Sequence, residues 1–271
     1  MGLQGRHNVA WHCYLGNMIA RRRLQRFWEL GLRLCTTGLG YHNYAPQLNG
    51  EDRFLRRWLA GSNRAVTLVD VGANEGEFTD IALEQPLARI YLFEPNPVTF
   101  ARLERRFAGN ERTTLINAAL GDHPASLELF DWAGCDGTGE ATFLRETLGE
   151  TAAVTSFKVP VITLDDYCAQ QRIAVIDYLK VDVEGFEKNV FAGARGLIEA
   201  KRIRVIQFEM NVHAVVSGFT LYAAMQALPG YTIYRILPHE LLEVAGPNIA
   251  YRPGHDLFRH HNLIASIGSL A

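Results

Sequence analysis

Val69-Asp70-Val71-Gly72-Ala73-Asn74-Glu75-Gly76 closes one short apolar run, residues 65–71, and opens an amphipathic segment, residues 77–87. An apolar strand followed at once by Gly-x-x-x-Gly and a helix makes a tight turn without bulky side chains. A ligand can then approach the backbone closely. The same grammar repeats outward from this point. Residues 90–94, 114–119, 175–181 and 203–209 are further apolar runs, and 97–108 and 186–200 carry helical spacing with charged outer faces. Continuous Val/Ile/Leu character, rather than strict alternation, predicts parallel strands covered by helices on both faces. Strand–helix alternation predicts βαβ units with right-handed crossovers. The fold class is α/β and Rossmann-like, and 271 residues, 48% of them hydrophobic, suit one large domain of this kind.

The flanks read differently. Residues 1–62 open on a basic stretch: over the first 50, Arg6, Arg21, Arg22, Arg23, Arg26 and Arg33 stand against Glu29, with Trp11 and Trp28 among them. Phe27, Leu30 and Leu34 fall at helical spacing, as do Phe54, Leu55, Trp58 and Leu59. An N-terminal helical cap over 1–62 is expected, followed by the Rossmann-like domain over 63–271. Within that domain, residues 125–162 read as an inserted group of β-segments around a Gly/Thr-rich stretch. Residues 231–236 and 261–266 are expected to close the sheet as an antiparallel pair.

Composition excludes several classes. The formal charge is 27 − 29 = −2, so no nucleic-acid footprint is present at this level. Cys13, Cys35, Cys135 and Cys168 form no CxxC pair, which argues against a zinc ribbon or a disulfide scaffold and for a reducing compartment. No apolar run of bilayer-spanning length occurs, and Arg21, Arg22, Arg23 and Arg26 interrupt any signal-peptide core. A soluble cytoplasmic protein is expected, and a homo-oligomer is compatible with it.

The loop at 72–76 is not a GxGxxG fingerprint, because Asn74 stands where a second glycine is expected. A pyrophosphate needs several free N–H groups at a helix start. S-adenosylmethionine has no phosphate and tolerates the looser pattern. Asp70 is placed to accept from its methionine ammonium, and Gly72, Asn74 and Gly76 shape the turn around it. Glu94 ends the next run, 24 residues after Asp70, where a Rossmann unit puts its ribose-binding acid. Its two oxygens match a vicinal diol. The bland alternative is a strand-end acid capping the next helix. After the third run, small residues around Ala118 leave room for adenine, and Asn117 or Asp122 could address its edge; an ordinary turn at Gly121 is the equal alternative.

Five segments together resemble the FkbM family of methyltransferases. They are residues 70–76, Phe93-Glu94-Pro95, residues 117–122, Thr163-Leu164-Asp165-Asp166 and, most telling, the Lys180-x-Asp182-x-Glu184-Gly185-x-Glu187 string. The resemblance spans about residues 65–211. It implies a seven-stranded class I methyltransferase sheet, S-adenosyl-L-methionine as cofactor, and methyl transfer, typically to oxygen. The acceptor, a sugar, glycan or secondary metabolite in such families, is not carried by the match.

Attack by an alkyl hydroxyl requires a proton acceptor within hydrogen-bond reach. Asp182 and Glu209 end adjacent runs at one sheet edge, and His213 follows closely; these are the candidate catalytic residues, Asp182 also as a partner of the cofactor. Lys180 is expected to pair with Asp182 or Asp70. Glu184 and Glu187 can instead serve the following helix N-terminus. Asp182, Glu209 and Asn211 could form an oxygen-rich Mg²⁺ site, a weaker reading than the metal-free one. His239, His255, His260 and His261 look too scattered to act together. Two other functions compete on the same fold: an NAD(P)-dependent oxidoreductase or epimerase, disfavoured by the missing fingerprint, and a binding module without catalysis.

Overall fold

In a computed structural model, residues 19–41, 45–134, 137, 139–149, 151–252, 256, 259–268 and 270 are described. Arg6, Trp11, Cys13, Cys135 and His255, and parts of the expected cap and of the Gly/Thr-rich stretch, lie outside them. Cys35 and Cys168 are free thiols. No described helix is long and apolar enough to cross a membrane.

The chain divides into two units, Met1–His42 and Asn43–Ala271. In the first, a short 3₁₀ turn, Arg22–Leu24, leads into the helix Gln25–Gly38. Trp28 Nε1 donates to the Ile19 carbonyl (3.0 Å), and the Phe27 and Trp28 rings meet edge to face.

The second unit is built on β1 (Val66–Val71), β2 (Ala88–Phe93), β3 (Thr113–Ile116), β4 (Ala119–Leu120), β5 (Ala125–Trp132), β6 (Val154–Ile162), β7 (Ile176–Val181), β8 (Ile203–Met210), β9 (Thr232–Ile236), β10 (Leu241–Ala245) and β11 (His261–Ser266). The main sheet runs β10-β9-β11-β8-β7-β1-β2-β3. Its half from β8 to β3 is parallel, and β11, β9 and β10 pair antiparallel. The sheet has eight strands rather than seven. β10 is the addition: it folds back on β9 as an outer hairpin arm with Leu242 and Glu243 exposed, and the other seven have the expected arrangement.

Side chains alternate across this sheet into two cores. Val69, Val71, Phe93, Val181 and Phe208 face one, beneath the helices Leu164–Gln171, Glu187–Gly193 and Leu221–Ala227. Leu68, Ile90, Leu92, Tyr178 and Ile264 face the other, beneath the helices Glu51–Ala60, Glu77–Ala82 and Pro97–Arg106. The helix Glu51–Ala60 packs into that second core through Leu55 and Leu59 and belongs to the sheet-bearing unit. Its acids Glu51 and Asp52 sit in the first turn, where the helix dipole favours them.

The run at 114–119 is broken in two. Asn117 turns its amide to the carbonyls of Glu94 (2.8 Å) and Pro95 (3.3 Å), so β3 stops at Ile116 and β4 starts a second sheet, β4-β6-β5. Two of its strands, β5 and β6, fall in the stretch read as an inserted group of β-segments, and β4 precedes that stretch. The small sheet is tied down where Asn96 Nδ2 donates to Asp131 (2.9 Å) and Thr142 Oγ1 donates to the Glu184 carbonyl (2.8 Å).

Candidate active site

Strand order reverses between β1 and β7, since β2 and β3 lie on one side and β8 on the other. Crevices at the carboxyl ends of the strands on such a switch point hold ligands. Both strand tips are drawn together: Asp182 N donates to the Val71 carbonyl (3.0 Å), and Gly72 N and Ala73 N both donate to the Phe93 carbonyl (3.0 Å each). The loops leaving β1 and β7 each hold one non-glycine residue in the left-handed region, Asn74 and Glu184 (φ 47° for both). Residues kept in that region without a glycine mark places where the surrounding structure fixes the backbone.

Two cavities meet here. A slot is walled by Gly72, Asn74, Glu94, Pro95, Ala118 and Ala119, with Leu129, Ala141 and Phe143 of the insertion over it and Asp182, Glu184 and Phe186 at its end. A wider cleft contains Glu51, Lys180, Gln207, Glu209, His260 and Asn262. Gly72, Asn74, Gly139, Asp182 and Glu184 belong to both.

Glu94 is 5% exposed and accepts from two backbone donors, Asn96 N at Oε1 (2.8 Å) and Asn74 N at Oε2 (2.9 Å). Burial pushes its carboxyl up to about 7, against the pull of those two N–H groups. The carboxylate is thereby locked in orientation, with lone pairs left to accept a vicinal diol. Asp70 is fully buried and lines neither cavity. Its Oδ2 accepts from Thr79 Oγ1 (2.9 Å), while the buried Oδ1 has no hydrogen-bond partner. Burial raises its pKa, opposed by Lys180 and Thr79. Gly76 turns the chain into its helix at φ 84°, and a Cβ there would strike the Phe107 ring.

At the boundary, Lys180 Nζ pairs with Asp182 Oδ2 at 2.9 Å. Burial opposes the lysine's charge, but Asp182 and Asp70 outweigh it and hold the ammonium protonated. Asn211 Nδ2 donates to Glu209 (2.6 Å) and Glu184 (3.0 Å), and its Oδ1 accepts from His213 N (2.8 Å). His213 Nε2 lies 3.6 Å from Glu184, and the ring lines neither cavity. Glu187 serves its own loop, accepting from Gly185 N (3.2 Å).

His260 is brought into the cleft after all. The β11–β8 register sets Asn262 opposite Glu209 and His261 opposite Met210. His260 Nε2 then reaches Glu209 Oε2 at 3.2 Å. Burial lowers its pKa, but the hydrogen bond and charge of Glu209 prevail and raise it. Glu51 enters from the helix Glu51–Ala60, accepting from Gln207 Nε2 (2.6 Å) and Asn262 Nδ2 (2.8 Å), and burial pushes its carboxyl up to about 7. Neither Glu51 nor Asn262 was visible as a site residue in the sequence.

These groups make ligand-free stability depend on pH. Glu51 and Glu94 titrate near 7 when folded but near 4.5 when unfolded, so between those values the folded chain holds more protons. Their contribution is present at low pH and is lost as pH rises through about 7. His213 and His261, depressed by burial, act oppositely but only below their ordinary value of 6.5. The melting midpoint is therefore expected to fall from pH 6.5 to pH 8, by scanning fluorimetry. A midpoint that climbs across that interval contradicts the assignment.

A doubly wound sheet with a buried acid, Glu94, at the tip of β2 and acids at the tips of β7 and β8 has the architecture of a class I S-adenosylmethionine-dependent methyltransferase. The profile of the methyltransferase FkbM domain matches residues 70–232, and the chain belongs to that family. It is 30% identical over 189 residues to the 31-O-demethyl-FK506 methyltransferase FkbM of Streptomyces tacrolimicus, covering 60% of this chain and 72% of that one. It is 25% identical over 230 residues to the 2-O-methyltransferase NoeI of Sinorhizobium fredii (strain NBRC 101917 / NGR234), covering 80% and 88%. Among solved structures it resembles an rRNA methylase from Streptococcus thermophilus (TM-score 0.44, 11% identity, 83% and 98% covered). Glu51, His260 and Asn262 lie outside the matched segment.

Proposed function

We propose that the chain transfers a methyl group from S-adenosylmethionine to a hydroxyl oxygen of a neutral polar acceptor, a sugar, glycan or secondary metabolite, in the cytoplasm. The observation that carries this is the meeting of the two cavities at Asp182: a slot suited to a nucleoside opens onto a cleft rich in hydrogen-bond acceptors. Both relatives named above are, by name, O-methylating or O-demethyl-substrate enzymes. The acids of the cleft disfavour an anionic acceptor.

The cofactor supplies an electrophilic methyl on a sulfonium. Glu94 would hold the ribose, Ala118 would border the adenine, and Asp182, which lines both cavities, would lie at the amino-acid end. The insertion above the slot excludes water. Alignment of this kind can supply ~7–11 kcal/mol of the barrier. With that methyl donor bound, the proton that the acceptor hydroxyl loses on methylation would pass to a carboxylate at the junction of slot and cleft. Asp182 is best placed for this, with Glu209 and its partner His260 beside it. His213 supports Glu184 rather than the acceptor.

For Mg²⁺, Asp182, Glu184 and Glu209 each offer an oxygen within 4.8 Å of the others, a set that fits a hard cation. Asn211 does not fit, because it presents its N–H groups to those acids. A bound ion there would lower the pKa of the attacking hydroxyl. The metal-free reading is preferred because Lys180 already neutralises Asp182. Undiminished turnover after EDTA treatment is the expected result, and loss restored by Mg²⁺ overturns it.

Radiolabelled methyl transfer from S-adenosylmethionine into neutral saccharides and macrolide alcohols tests the reaction. Label in an alkali-stable ether supports it; label only on amines, or none with any acceptor, removes it. Asp182→Asn should lower kcat by ~10²–10⁴-fold. If S-adenosylhomocysteine affinity falls equally, Asp182 holds the cofactor instead.

A further inference from the structure

The helix Gln25–Gly38 turns its apolar side to solvent. Phe27, Leu30 and Leu34, spaced on one face, are 62%, 57% and 68% exposed, and Leu32 and Leu39 are 54% and 49% exposed. Single exposed leucines are ordinary, but a whole helical face of them marks a surface that something covers. Arg21, Arg22, Arg23, Arg26 and Arg33, all exposed, accompany it, and Glu29 is the sole acid between residues 19 and 41. Arg26 and Arg33 share one flank of that face, beside Leu30.

We propose that this helix lies in the surface of an anionic membrane, its leucines and Phe27 among the acyl chains and its arginines at the level of the lipid phosphates. An apolar face bordered by cations is the pattern of an interfacial helix. Long basic side chains bury their stems and keep their charge at the headgroups. At 14 residues the helix is about 21 Å long, too short to span and long enough to lie flat. A second copy is a poorer occupant. Facing helices would oppose the arginines of one copy to those of the other, with one Glu29 each to offset them. Lipid phosphates supply counter-charge to Arg22, Arg23, Arg26 and Arg33, which outnumber the one acid of the segment.

The full chain is tested by co-sedimentation with phosphatidylcholine vesicles containing phosphatidylglycerol. Binding is expected, falling with added salt and falling about tenfold in a Leu30→Glu/Leu34→Glu variant and in an Arg26→Glu/Arg33→Glu variant. Calorimetry with S-adenosylhomocysteine, unchanged in both variants, establishes that the sheet-bearing unit is intact. Failure to sediment, or equal sedimentation with pure phosphatidylcholine, overturns the proposal. So does a dimer in gel filtration that the leucine variant dissociates, which assigns the face to a second copy.

Discussion

Glu94→Ala is expected to weaken S-adenosylhomocysteine binding by ~10²–10³-fold, measured by calorimetry near pH 8. Hydrogen bonds to an ionised group contribute ~1.5–3 kcal/mol each, so two to a diol give ~3–6 kcal/mol, and the lower half of that range is ~10²–10³-fold. The carboxylate also organises the slot from behind. Asn74 N and Asn96 N would lose their acceptor, so the loop after β1 and the start of the helix Pro97–Arg106 would loosen together. Glu94→Gln keeps one acceptor oxygen and should fall between the variant and its parent. Because the ionised form accepts the diol, affinity of the parent should drop as pH falls through about 7, and that dependence should be weaker in Glu94→Gln, where the other raised carboxyls near the slot, Glu184 and Glu187, still titrate. A Glu94→Ala chain that binds as tightly as its parent removes the diol grip from the mechanism.

The parallel half of the sheet was legible because strands buried on both faces leave uninterrupted apolar runs. The closing pair β9 and β11 was readable for the same reason: His261–Ser266 is buried throughout. β10 was not, since Leu241–Ala245 sits at an edge with its middle exposed and carries a weak pattern. The split of the run at 114–119 was equally hidden. It depends on where the Asn117 amide finds carbonyls, and those belong to a loop 22 residues earlier.

For the site, legibility followed the strand tips. Asp70, Glu94, Asp182 and Glu209 end strands of one parallel sheet, so topology alone gathers them at one edge. Glu51, His260 and Asn262 come by other routes: a helix laid across the sheet, and an antiparallel strand whose register fixes its neighbours. Periodicity reveals that such a strand exists, yet a shift of one residue would turn every side chain to the other face. Glu184 was read as serving a helix start, the ordinary role of an acid after a strand. Its left-handed backbone, which puts it between the two cavities, is not a property that a glutamate announces.

Gly72→Ala is expected to be the most damaging glycine-to-alanine substitution among the described residues, since it combines a positive φ with the closest approach to backbone. Gly72 has φ 78°, and a Cβ there would stand 1.8 Å from the Asp182 carbonyl oxygen and 2.9 Å from its carbon. The obstacle is backbone, so no rotamer relieves it; β1 and β7 must part where Asp182 N bonds to Val71. Gly109 provides the control. Its φ is 75°, nearly the same, but a Cβ there meets nothing within 4 Å. Gly109→Ala therefore bears only the left-handed strain of ~1–2 kcal/mol, a fall in melting midpoint of a few degrees at ~2–4 °C per kcal/mol. Gly72→Ala bears the same strain plus the separation of two strand tips. It should lose several times as much, either melting far lower or failing to fold, and any soluble fraction should bind S-adenosylhomocysteine poorly. Equal midpoints for the two variants would mean that the strand tips are not locked together, and the shared wall of slot and cleft would lose its physical basis.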